Sequence, residues 1–331
     1  MSAAADRPAD DRSAADAARE SEPGADGAPG AAPEAAPATT PEAAPAVTAG
    51  VAPDPAPAAT LGRTLVPALL VALAAPALFV LLVPWLGWLL LAAGVGTAAI
   101  VERGRVRASA PSLTRDLSLI AAGMLIVSTI SLEAKLDDLS MVRFTLVLGG
   151  AVAVPYAISR WVYRDRAIRF PWRGGGRWRP WQWGWLGAVL VLGWLILPFY
   201  FITSGVYRNW PVVDTPDLIA RLFVGVGAVG IWDELFFICT VFALLRRHLP
   251  DLAANVLQAI VFVSFLWELG YRAWGPVLTI PFALLQAVIF VKTRSLAYVV
   301  TVHLLFDAVV FAVLVHAHNP GLLSGIFFVS P

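Results

Sequence analysis

Cysteine is almost missing from this chain: Cys239 stands alone, so an internal disulfide is excluded and nothing follows about redox compartment. Charge is also scarce. Asp, Glu, Lys and Arg make up 14% of the residues and the net charge is +1, which leaves no basic surface to argue for nucleic acid. A phosphate-binding Walker loop, a dinucleotide fingerprint and a CxxC pair are all lacking, so the sequence offers nothing for nucleotide, dinucleotide or zinc-ribbon chemistry. Hydrocarbon is what the chain has in quantity. With 58% hydrophobic residues and a mean hydropathy of +0.72, it reads as a protein of several membrane spans rather than a soluble domain.

Residues 1–60 form a separate regime of Ala, Pro, Gly, Asp and Glu, with Arg7, Arg12 and Arg19. Such a segment buries too little apolar surface to offset its ordering entropy, so it is expected to be a disordered, solvated tether. It lacks the basic start and compact apolar run of a secretory signal. Apolar runs follow at 65–83, 86–101, 117–132, 144–162, 183–203, 222–245, 252–269, 277–291 and 296–315. At roughly 20 residues per crossing, they predict an all-α bundle of about nine spans, the first two forming a hairpin broken at Pro84.

Arginine tests that count. The loop after the second run holds Arg103, Arg105, Arg107 and Arg115, and the loop after the fourth carries seven arginines between Arg160 and Arg179. Arg246 and Arg247 follow the sixth run; Lys292 and Arg294 follow the eighth. The intervening loops carry only Lys135, Arg143, Arg208, Arg221 and Arg272. The alternation places the N-terminus in the cytoplasm, at the plasma membrane. The stretch 169–185 interleaves arginine with Trp172, Trp178, Trp181, Trp183 and Trp185, as expected of an interfacial belt on anionic lipid.

Ionisable residues inside the spans are Asp233, Glu234, Glu268, His303 and Asp307, all in the last third of the chain. An ionisable group at mid-membrane costs about 2.5 kcal/mol or more, so adjacent acids in one span need a partner. His303 and Asp307, spaced i, i+4, share one helix face, where the acid can hold the imidazole's tautomer or both can face a water or metal. Asp233 and Glu234 lie about 100° apart on a helix, so only one is expected to point squarely at a shared centre. The blander readings are interhelical pairing for the His-Asp and Asp-Glu groups, and interfacial anchoring or an Arg272 pair for Glu268. His248 is expected to be solvated, and His316 and His318 to lie at the surface where the last span exits.

Asp233-Glu234-Leu235-Phe236-Phe237, then Leu244-Leu245-Arg246-Arg247, Thr293-Arg294-Ser295-Leu296 and His303-xxx-Asp307 resemble the CPBP family of CAAX-protease and bacteriocin-processing intramembrane proteins. The resemblance covers about residues 217–316. It implies a helical bundle whose polar centre activates water for endoproteolysis of a peptide or prenylated protein. Asp233, Glu234, His303 and Asp307 are then the catalytic candidates: one acid as base, His303 and Asp307 orienting water and binding the oxyanion. No cofactor is certain, and whether a divalent metal takes part is left open. The family pattern is Glu-Glu-x-x-x-Arg, Phe-x-x-x-His and His-x-x-x-Asn or Asp. Here Asp233 replaces the first Glu, Ile238 the Arg, and Leu266 the His that follows Phe262.

These departures keep a rival in play, a non-catalytic membrane scaffold or immunity-type partner. A proton- or ion-coupled transporter is a second rival, since buried acids and a histidine can relay protons, but the hydropathy pattern has no clear internal repeat. The expected organisation is a tail at 1–60, supporting spans at 61–212, a CPBP-like core at 213–316 and a C-terminal tail at 317–331. Membrane lipid and a peptide substrate are the expected partners, and nucleic acid is not.

Overall fold

A computed structural model describes residues 58–103, 111–323 and 325–331. Most of the expected tail, as well as Arg105 and Arg107, lies outside the described residues. Ala58 already opens the first helix, so the tail boundary falls slightly earlier than residue 60.

The described residues form nine helices and no strand. Helix α1 (Ala58–Ala75) ends in a π turn (Pro76–Val80), and α2 (Pro84–Glu102) starts with Pro84 at its first position, where no amide is needed. Next come α3 (Leu113–Val127) and α4 (Asp138–Ala157), the latter extended by a π turn (Ile158–Val162). Helix α5 (Pro180–Pro198) likewise runs into a π turn (Phe199–Thr203). Helix α6 (Pro216–Asp233) continues through a π stretch (Glu234–Phe242) to a last α turn (Ala243–Leu245). The chain closes with α7 (Asp251–Leu269), α8 (Gly275–Thr293) and α9 (Leu296–His318).

Eight of these helices are long and apolar enough to cross a membrane. The third is the exception, because the expected run 117–132 is not wholly helical. Ser112 starts α3 early by accepting from the Arg115 amide at 3.3 Å. The hydroxyls of Ser128 and Thr129 then donate back to the carbonyls of Leu125 and Ile126, at 2.8 and 2.7 Å, where the helix stops. The chain runs on without helix to Asp137, which caps α4 by accepting from the Ser140 amide.

The sequence-adjacent pairs α1–α2, α3–α4 and α7–α8 pack against each other, while α9 packs against both α5 and α6. Behind the polar residues lies an aromatic wall, in which Trp232 stacks on Phe236 at 5.1 Å and Phe237 meets Phe262 edge-on at 4.9 Å. Trp232 also donates its indole N–H to the Leu148 carbonyl at 2.7 Å, tying α6 to α4.

Burial overturns two expectations at the helix ends. His248 is not solvated: its Nε2 lies 2.6 Å from Asp116 Oδ2, and Arg247 donates to Asp116 Oδ1 at 2.9 Å and to Asp165 at 2.7 Å. Three charged partners gather there because α3, the α4–α5 loop and the end of α6 meet at one membrane face. His316 is only 3% exposed, since the chain beyond α9 folds back so that its ring nitrogens face the carbonyls of Leu322 and Val329. His318 is half-buried, near the Leu314 carbonyl and edge-on to Tyr207.

Candidate active site

All four candidate residues converge. Asp233 sits at the last α turn of α6 and Glu234 at the first residue of its π stretch; His303 and Asp307 are one turn apart on α9. None is more than 7% exposed. A π stretch is rare and recurs at functional sites; here the Thr240 hydroxyl donates five residues back to the Leu235 carbonyl at 3.0 Å.

His303 is the hub. Its Nδ1 is 2.7 Å from Glu234 Oε1, while its Nε2 is 3.5 Å from Asp233 Oδ2 and 3.9 Å from Asp307 Oδ1. Both adjacent acids reach the imidazole, but only Asp233 also lines the cavity beside it. The imidazole presents two nitrogens in different directions, so each acid meets its own.

Gln286 on α8 fixes the orientation of the Glu234 carboxyl against the imidazole. Its side-chain amide donates to the Val299 carbonyl at 3.2 Å and to Glu234 Oε1 at 2.7 Å. An amide nitrogen between two oxygen acceptors has one sensible orientation, and Glu234 Oε1 is then an acceptor for the His303 Nδ1–H as well. The residue escapes an inventory of ionisable side chains because it is uncharged; its signal is a lone amide in an apolar run. Phe282 and Phe262 hold the imidazole edge-on, with ring centroids 5.0 and 6.2 Å away.

Beside the hub lies a cavity of about 290 Å³ lined by Asp233, His303 and Asp307 together with Leu266, Tyr271 and Thr279. Glu234 does not line it. Asp233 Oδ1 and Asp307 Oδ2 are buried without a hydrogen-bond partner among the described residues. Burial raises the Tyr271 phenol well above its ordinary range, and Asp307 adds to the rise, so this residue offers the cavity a neutral hydroxyl. Gly230 lets α9 approach, since a β-carbon there would overlap Asp307 Oδ2.

Glu268 is elsewhere. Its Oε1 accepts from the Leu132 amide at 3.0 Å, in a second, polar cavity that Arg272 also lines. Leu266 and Ile238 are buried hydrocarbon, 6% and 1% exposed, and Leu266 faces the cavity where the family pattern has an imidazole. Among the described residues no group of three or more His, Cys, Asp or Glu side chains is arranged to hold a metal ion.

Residues 215–309 match the family model described as Type II CAAX prenyl endopeptidase Rce1-like, a stretch running from the start of α6 to just beyond Asp307 on α9. The match covers less than half of the chain and is consistent with a divergent CPBP member. No curated protein and no solved structure matches the chain.

Proposed function

We propose that the chain is a divergent intramembrane endopeptidase, held in the plasma membrane with its N-terminal tail in the cytoplasm, that hydrolyses a peptide or a prenylated protein. One observation carries the reading. Among the described residues, buried carboxyl oxygens of Asp233, Glu234 and Asp307 have no hydrogen-bond partner, and those of Asp233 and Asp307 belong to residues lining a cavity that His303 also lines. Buried polar atoms are almost always satisfied, so these point to water or a substrate group as their partner.

The roles divide by geometry. Glu234 is engaged by His303 and Gln286, which makes it the group that orients the imidazole. Asp233 is left as the base: it takes a proton from a cavity water as the water oxygen adds to the scissile carbonyl carbon. The oxyanion so formed is received by the Tyr271 hydroxyl and by Asp307 and His303 Nε2 in their protonated forms, the ring then being an imidazolium whose Nδ1–H stays on Glu234. Collapse breaks the C–N bond, and the proton held on Asp233 passes to the departing amine.

The purified protein is incubated in nanodiscs with prenylated CAAX peptides and an unprenylated peptide library. Asp233→Asn and His303→Ala are each expected to lower cleavage by about 10²–10⁴-fold. Undiminished cleavage by either variant would exclude the site. Absence of cleavage by the parent protein would favour the scaffold reading, which Leu266 and Ile238 support by removing an imidazole and a cation from the family pattern.

A further inference from the structure

The two cavities meet on one side of the bundle. The reactive cavity and the polar one share Ala134, Lys135, Leu136 and Trp210. The polar cavity, of about 640 Å³, is lined by ends of helices and loops: Glu133 and Lys135 after α3, Arg208 before α6, Glu268 and Arg272 around the α7–α8 turn. The helices line the reactive cavity from near this face to about mid-span, α9 reaching it through His303, Phe306 and Asp307. On α4 the lining runs from Met141 to Gly149, on α6 from Leu222 to Asp233, and on α8 it is Thr279 and Phe282. No lining residue comes from the loops that carry Arg160 to Arg179, Arg246 and Arg247, or Lys292 and Arg294.

Two of those loops pack against each other on the other face. Gly174 and Gly175 lie so close to the carbonyls of Arg294 and Thr293 that a β-carbon at either would overlap them, and the Leu296 amide donates to the Pro171 carbonyl at 3.0 Å. The α4–α5 loop is thereby folded over the short turn between α8 and α9. Below it Tyr298, fully buried, donates to the Gln182 carbonyl at 2.8 Å.

Trp210 forms the neck between the cavities. It is 7% exposed, and its indole nitrogen has no hydrogen-bond partner among the described residues. It packs edge-on to Tyr271 at 5.7 Å, and Gly270, at φ 140°, accommodates the indole where a β-carbon would crowd it. An unpartnered buried donor at the junction suits a passage that polar groups cross.

We infer that the reactive cavity is loaded from the extracytoplasmic side, through the polar vestibule and past Trp210, and that its substrate is a polypeptide segment presented on that side. Arginine-rich loops mark the cytoplasmic face, and the opening is on the face opposite to them. The inference rests on the cavity being the reaction site, as proposed above, but its test does not depend on turnover.

The full-length protein supplies a convenient background, because its one cysteine, Cys239, is buried. Leu266→Cys and, separately, Thr279→Cys place a thiol in the cavity wall. Arg177→Cys places one in the exposed α4–α5 loop. Intact cells are treated with a small membrane-impermeant methanethiosulfonate before and after permeabilisation. Leu266→Cys and Thr279→Cys are expected to react in intact cells, and Arg177→Cys only after permeabilisation. Reaction of the two cavity thiols only after permeabilisation, or reaction of Arg177→Cys in intact cells, overturns the inference. Two cavity positions guard against one variant failing to fold, and the amount of membrane-inserted protein is read in parallel. Since the readout is thiol modification, a failure here leaves the peptidase proposal standing, and a protein that cleaves nothing can still pass this test.

Discussion

Glu234 Oε1 and His303 Nδ1 lie 2.7 Å apart although 69 residues separate them in the chain. Gln286 donates to the same oxygen from a third helix, so α6, α8 and α9 are joined at one atom. That junction sets which imidazole nitrogen faces the cavity, and with it the division of labour between the two adjacent acids.

Glu234 is a positioning residue in this arrangement, and kinetics can separate it from Asp233. Glu234→Gln is expected to lower kcat by about 10²-fold or more with KM little changed, because it removes the charge that orients the imidazole rather than a substrate contact. Gln286→Leu acts on the same oxygen from further away and is expected to cost about tenfold. Combining the two should cost far less than the product of the single effects, since both act through one hydrogen-bonded unit. Full multiplicativity in peptide-cleavage assays would show that the residues act independently.

Gly230→Ala tests the closeness of α6 and α9. The added carbon would overlap Asp307 Oδ2 and crowd His303 Cδ2, so α9 has to move. A displacement of about 1 Å is enough to cost about 10²-fold in rate, while overpacking costs about 1–3 kcal/mol in stability. Gly96→Ala on α2, where nothing lies within 4 Å of the new carbon, is expected to leave both unchanged. Equal cleavage rates and equal melting temperatures for all three proteins would refute the close approach.

The cluster at the end of α6 offers a contrast between two ion pairs made by neighbouring arginines. Arg247 meets Asp116, whose side chain is 3% exposed, whereas Arg246 pairs with Asp251, which is 54% exposed. Asp116→Asn weakens buried hydrogen bonds to both Arg247 and His248 and is expected to cost about 1–3 kcal/mol. Arg246→Ala is expected to cost about 0–1 kcal/mol, as for other solvent-exposed pairs. Thermal unfolding of the two variants in the same detergent measures the difference; equal losses would mean that the Asp116 cluster is no more than a surface contact.

The architecture could be read from hydropathy because the lipid environment forces it: each apolar run of about 20 residues has to close its backbone hydrogen bonds within itself. The same logic failed at the third run. Hydropathy continues to Leu132, but the hydroxyls of Ser128 and Thr129 compete for the carbonyls that the next turn would use. At the site, the His303–Asp307 spacing was legible because helical periodicity alone puts them on one face. Gln286 was not, since an uncharged amide carries no distinctive cost in a list of ionisable groups. Gly230 gives no signal either, because a glycine announces a close approach only when the opposing chain is known. His248 and His316 were misplaced as surface residues for a related reason: their burial comes from segments distant in sequence or from the returning C-terminal chain.

The sequence by itself determined that this is a multi-span helical protein whose acids within the apolar runs, with His303, are gathered in the last helices, because composition and periodicity act locally. Only the tertiary structure decided that Glu234 serves the imidazole while Asp233 faces the cavity. It alone also showed that residues of the arginine-rich loops after α4, α6 and α8 do not line the cavity. Both depend on how α6, α7, α8 and α9 lean on one another, and side-chain direction across a helix contact is fixed by packing rather than by order along the chain.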